Sequence, residues 1–163
     1  MTGCFAALPP GVTGVVPAAE IGGDDPEETE LLKQLHARAE RFLRSFAWCR
    51  SVCAGYFGGG VGRVVGLSLF LIDPVGHTDR WLWVVVGDLP SAYLVIDEPK
   101  SPRTALEVYC RQMSDWIAAV LAGAGLEGVY PVAAPPEREY AEMLRTRVEF
   151  LRRRIGPWLE QPA

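Results

Sequence analysis

Val64-Val-Gly-Leu-Ser-Leu-Phe-Leu-Ile72 and Arg80-Trp-Leu-Trp-Val-Val-Val86 are the two stretches on which the fold turns. Both are short, apolar and rich in β-branched and aromatic residues, and both are bounded by turn residues, which marks them as strands. In the second stretch Trp81, Trp83 and Val85 point one way while Leu82, Val84 and Val86 point the other, so neither side is polar. A strand of that kind belongs in a sheet covered on both faces.

Two further candidate strands flank this pair, at 52–57 and 91–96. The separators are Gly58-Gly-Gly-Val-Gly62, the run from Asp73 to Asp79, and Gly87-Asp-Leu-Pro90, all short enough for hairpins, so an antiparallel meander is the simplest pairing. Before the strands, Asp24-Asp-Pro-Glu-Glu28 has the form of a helix start, with Asp25 as cap, Pro26 at the first helical position and Glu28 completing a capping box. Leu32, Leu35, Ala39, Phe42, Phe46, Cys49 and Cys53 then alternate spacings of three and four, which predicts a helix ending between residues 50 and 54. After the strands, Ser101 or Thr104 caps a helix whose apolar side is Leu106, Tyr109, Cys110, Met113, Trp116, Ile117, Val120 and Leu121. Tyr140, Leu144, Val148, Leu151 and Ile155 define a last helix, closed by Gly156-Pro157.

The predicted fold is therefore α+β: an antiparallel meander of about four strands with one helix before it and two after it. Residues 1–23, rich in Gly, Pro, Ala and Val, read as a flexible or draped arm, and 24–163 as a single domain.

Composition narrows the function classes. The 163 residues are 49% hydrophobic and 22% charged, as expected of a globular protein, and no internal repeat is present. The most apolar stretches between charges, nine residues at 64–72 and eleven at 116–126, fall short of the roughly 20 that a membrane helix needs. The first ten residues lack Lys and Arg and contain Pro9 and Pro10, unlike a secretory signal, so a cytoplasmic location is expected, with Cys4, Cys49, Cys53 and Cys110 reduced. The net charge of −4 is uneven: residues 1–30 hold six acids and no base, leaving sixteen bases against fourteen acids, a net +2, in the remainder. No nucleic-acid partner is expected from that balance.

Several clusters invite a functional reading. In a meander, alternate loops share an end of the sheet, which gathers Asp73, His77, Asp79, Asp97 and Glu98 at one end, the side-chain types that bind cations or move protons. Their spacing matches no metal motif, and the same residues also build exposed turns. At the other end Gly58, Gly59, Gly60, Gly62 and Arg63 resemble an anion-cradling loop, although no Lys follows and a strand rather than a helix comes next. Cys49 and Cys53 lie on the apolar stripe and fit small buried hydrophobes. With only His36 and His77, and no nucleophile elbow, Ser/His and Cys/His hydrolysis have no local support. The arginines of the last helix are matched by glutamates and read as a solvated face. If Trp81 and Trp83 lie on an uncovered face they become interface anchors, in a homodimer or with another protein.

The expectation is a small cytoplasmic interaction or regulatory module acting through protein contacts. The alternative is a small-molecule or metal-dependent binding protein or enzyme with its site at the Asp73, His77, Asp97 and Glu98 end. The sequence calls for no cofactor and no metal, and it leaves open whether the chain is an enzyme.

Overall fold

A computed structural model describes residues 7–76 and 79–159. The chain divides into two compact units, residues 1–105 and 106–163. The first contains a five-stranded antiparallel sheet in the order β1-β2-β3-β4-β5, with β1 at Val16–Pro17, β2 at Cys49–Val61, β3 at Val65–Pro74, β4 at Trp81–Gly87 and β5 at Ala92–Val95. Helix α1, Pro26–Arg44, precedes β2, and helix α2, Pro102–Leu121, follows β5. The α+β meander expected from the sequence is thus present, with a fifth strand contributed by the arm, where Val16 pairs with Phe57 and Pro17 with Tyr56.

Helix α1 starts as its sequence dictates. Asp25 Oδ1 accepts from the Glu28 amide at 2.8 Å, and Glu28 Oε2 accepts in return from the Asp24 amide at 2.6 Å. Its end departs from the expectation, at Arg44 rather than between 50 and 54. The three-four spacing continues through Phe46, Cys49 and Cys53, but the backbone at 49–61 is taken by pairing with β3, from Cys49 opposite Pro74 to Val61 opposite Val65. The side chains of Phe42, Phe46, Trp48 and Tyr93 fill the turn, with Phe46 stacked on Trp48 at a centroid distance of 5.0 Å. Sheet pairing and aromatic packing outweigh a periodicity that was locally helical.

Strand β3 is the centre of this unit, paired with β2 on one side and β4 on the other. On one face Phe70, Ile72, Leu82, Val84 and Val86 pack with Leu32, Leu35, Ala39 and Leu43 of α1 and with Ile21 of the arm. On the opposite face Val65, Leu67, Leu69, Leu71, Trp83 and Val85 are also buried, and the Trp83 indole N–H donates to the Pro99 carbonyl at 2.9 Å. The arm is tied down by the Thr13 amide, which donates to the Lys100 carbonyl. Helix α2 opens with a reciprocal cap in which Ser101 and Thr104 each accept the other's amide.

The second unit holds the rest of α2 and, beyond it, α3, Arg138–Phe150, which passes through a π-helical turn at Leu151–Ile155 into α4, Gly156–Leu159. Gly156-Pro157 does not end the helix. The Gly156 amide reaches back to the Leu151 carbonyl, and Pro157, which has no amide to donate, directly follows that π-helical turn. Ala141, Leu144, Val148, Leu151 and Ile155 are buried, whereas Tyr140, placed on the apolar stripe by its spacing, is exposed. No helix among the described residues is long and apolar enough to cross a membrane.

Gly87 closes the β4 end against β3. Its φ is +147°, and a Cβ there would stand 2.1 Å from the Val64 carbonyl oxygen, which is backbone held in the sheet. Gly87→Ala is expected to destabilise the protein by on the order of 3 kcal/mol, read as a lowered urea midpoint; an unchanged midpoint would show that the end of β4 and the β4–β5 turn are free to shift.

Candidate functional site

Two of the concave sites of the first unit lie on opposite flanks of α1. The first is an open cleft of about 250 Å³ lined by Leu31, Gln34, Leu35, Arg38 and Arg41 from α1 and by Gly62 and Arg63 from the β2–β3 hairpin. Residues 31, 34, 35, 38 and 41 recur at helical spacing and so share one flank, beside the buried stripe. The hairpin tip is tight: Val61 pairs with Val65, and Gly62 takes a φ of +49°, which sets Arg63 beside the helix. Arg38, Arg41 and Arg63 have no ion pair or side-chain hydrogen bond among the described residues, unlike Arg44, which is held by Glu40 at 3.3 Å. Three arginines thus line one cleft, and a guanidinium group is a planar donor fork suited to phosphate or carboxylate.

Arg63 and Gly62 of the glycine-rich run therefore belong to the cleft, and Gly58, Gly59 and Gly60 do not line it. These three lie within β2, whose hairpin turn falls further along the chain. The sequence alone does not single out Arg38 and Arg41. Their common flank was readable from the spacing of three, but Arg63 is brought to them only by the docking of α1 on the sheet.

On the other flank, Lys33, His36, Ala37 and Glu40 face Ala18, Ala19, Ile21 and Gly55 across a groove of about 420 Å³. His36 is buried, with Nδ1 2.8 Å from Ser68 Oγ. Its ring stacks on Phe70 at 5.0 Å and meets Phe57 edge-on at 6.2 Å. Burial pushes its pKa below the ordinary histidine value, and the nearby Glu40 carboxylate opposes the shift only in part.

The acidic end of the sheet is assembled as the meander implies: Leu71 opposes Trp81 and Leu82 opposes Val95, which brings Asp73, Asp79, Asp97 and Glu98 to one end. Asp73 is engaged by Arg50 at 3.6 Å, and Asp79, Asp97 and Glu98 are exposed. His77 lies outside the described residues. Among the described residues no group of three His, Cys, Asp or Glu is placed to hold a metal ion. Trp83 is buried, with its indole N–H donating to Pro99 of the same unit, while Trp81 is half-buried against Tyr56. The large apolar side chains that do face solvent include Tyr140, Met143 and Phe150, spaced three and seven along α3.

Cys49 and Cys110 are buried free thiols, and Cys53 is disulfide-bonded, which departs from the expectation of reduced cysteines throughout. Burial raises the pKa of both free thiols, that of Cys110 to about 11. Neither is poised as a nucleophile.

No family model, no curated protein and no solved structure matches this chain.

His36 sets a pH response. A histidine whose pKa is lower in the folded than in the unfolded chain takes up protons on unfolding, so it supports the fold above the unfolded value of 6.5 and withdraws that support as pH falls below it. Urea midpoints measured from pH 8 to pH 5 are expected to fall across this window, and His36→Gln should flatten the decline. An identical slope in the variant would assign the response elsewhere.

Proposed function

We propose that this chain is a small interaction module that works by binding, and that its recognition element is the Arg38, Arg41 and Arg63 cleft, which takes a compact multivalent anion such as a phosphoryl group. The observation that carries this reading is the convergence of three arginines without a carboxylate partner among the described residues. Arg38 and Arg41 stand three apart on one helix, an arrangement that disfavours the isolated helix by a few tenths of a kcal/mol, roughly. A bound anion would turn this repulsion into attraction, and Gln34 adds a neutral hydrogen-bonding side chain to the same wall.

At about 250 Å³ the cleft suits the charged head of a ligand rather than a whole cofactor-sized molecule. Such a head group belongs equally to a free metabolite or to a modified side chain on a partner. The near-neutral charge beyond residue 30 also supports an anionic ligand, because the acids that make the chain negative overall are concentrated before that point. Contact with a partner protein or a second copy is part of this reading, supported by the exposed Tyr140, Met143 and Phe150 of α3. Strictly monomeric sedimentation at high concentration would remove its homodimer form. A small-molecule site at the Asp73, Asp97 and Glu98 end is the second reading, supported by the shared sheet end, with Asp73 already engaged by Arg50.

The test is binding of phenyl phosphate, followed by calorimetry and by thermal stabilisation of the full chain. Saturable binding that weakens with added salt is expected, and Arg38→Ala, Arg41→Ala and Arg63→Ala should each weaken it by about tenfold. Without ligand, Arg41→Ala should leave stability unchanged or slightly raised. Absence of binding, or binding that survives replacement of all three arginines, would remove the proposal.

A further inference from the structure

The groove on the opposite flank of α1 carries an independent inference. Ser68 is 1% exposed, and its hydroxyl has no partner other than His36 Nδ1 among the described residues. If Nδ1 carried the imidazole hydrogen, the serine hydrogen would be buried without an acceptor, which is costly. If the hydroxyl donates to Nδ1 instead, the serine is satisfied and the ring hydrogen sits on Nε2. The hydrogen-bond network therefore assigns the Nε2–H tautomer.

Nε2 is the edge of the ring nearest Gly55, where any Cβ would stand 2.8 Å away, and it has no hydrogen-bond partner among the described residues. The groove thus contains a fixed N–H donor without an acceptor. Lys33 lies one turn earlier on the same flank and has no acidic partner among the described residues, whereas Glu40 is already held by Arg44 at 3.3 Å. The remaining wall is apolar, made by Ala18, Ala19, Ile21 and Ala37. One unpaired cation, one neutral donor, the Glu40 carboxylate already paired with Arg44, and an apolar wall differ from the three arginines of the other cleft, and they suit a singly charged ligand with a hydrocarbon body.

We infer that this groove is a binding site for a small monocarboxylate with an apolar tail: one oxygen accepts from His36 Nε2–H, the carboxylate pairs with the Lys33 ammonium, and the tail lies on Ala18, Ala19 and Ile21. Ser68 acts through His36 as a positioning residue, holding the ring and its tautomer.

The probe is hexanoate, titrated into the full chain while the His36 imidazole resonances are followed by NMR, with acetate and hexanol as controls for the tail and the charge. A saturable His36 shift is expected with hexanoate, with acetate and hexanol at least about tenfold weaker. Lys33→Ala, at an exposed position that does not threaten the fold, should weaken hexanoate by about tenfold. Arg63→Ala, on the other flank, should leave hexanoate affinity unchanged whether or not the arginine cleft binds phosphate. No His36 shift at millimolar hexanoate, hexanol binding as well as hexanoate, or unchanged affinity in Lys33→Ala would each overturn the inference. Loss of hexanoate binding in Arg63→Ala would overturn it too, by moving the site to the arginine cleft.

Discussion

Strand β3 is held on both edges and buried on both faces, and the geometry of the first unit follows from that confinement. Its backbone pairs with β2 from Val65 to Pro74 and with β4 from Val65 to Leu71. Because successive side chains alternate between faces, a slip of one residue would exchange the set that meets α1 for the set on the other side. Register is therefore strongly specified, and with it the position of Ser68 under His36 and of the hairpin tip that carries Arg63. Gly87 belongs to the same constraint, since β4 can run alongside β3 to its end only where no Cβ meets the Val64 carbonyl.

Helix α1 supplies three different surfaces from one amphipathic sequence. Its buried stripe of Leu32, Leu35, Ala39 and Leu43 docks it on the sheet, one flank presents Arg38 and Arg41, and the other presents Lys33 and His36. The first surface accounts for the docking of the helix, and the other two are those on which the proposed binding sites rest. Adjacent like charges without partners and a buried imidazole with an unused donor are departures from locally optimal choices, the kind that functional sites retain. The two flanks also differ in chemistry, one multivalent and polar, the other singly charged and largely apolar, so they are distinguishable by ligand.

The departures between sequence reading and structure share a cause. Residues 46–53 have helical spacing but form a turn and a strand, because β3 offers their backbone a paired partner along its whole length. Val16–Pro17 gives too short a signal to be read as a strand and becomes one only against Tyr56 and Phe57. Gly58, Gly59 and Gly60 look like a loop by composition, yet β2 runs through them to Val61. Tyr140 and Ala141 are neighbours of which packing buries the smaller. In each case a local pattern compatible with two structures was resolved by contacts distant in sequence.

What the amino-acid sequence determined by itself was what depends on local chemistry: the capped start of α1, the turn residues between strands, the two-sided apolar character of β4, and hence an antiparallel α+β fold. Arg63, Asp73 and Asp97 could be placed at opposite sheet ends because a meander fixes which loops are neighbours. Only the tertiary structure decided where α1 stops, what pairs along the outer edge of β2, and which side chains face one another across a cleft. The joining of Arg63 to Arg38 and Arg41, and of His36 to Ser68 with a free Nε2 edge, rests on the docking of a helix on a sheet at one register and one rotation. Neither quantity is set by spacing along the chain; both come from packing between residues about 20 to 30 positions apart.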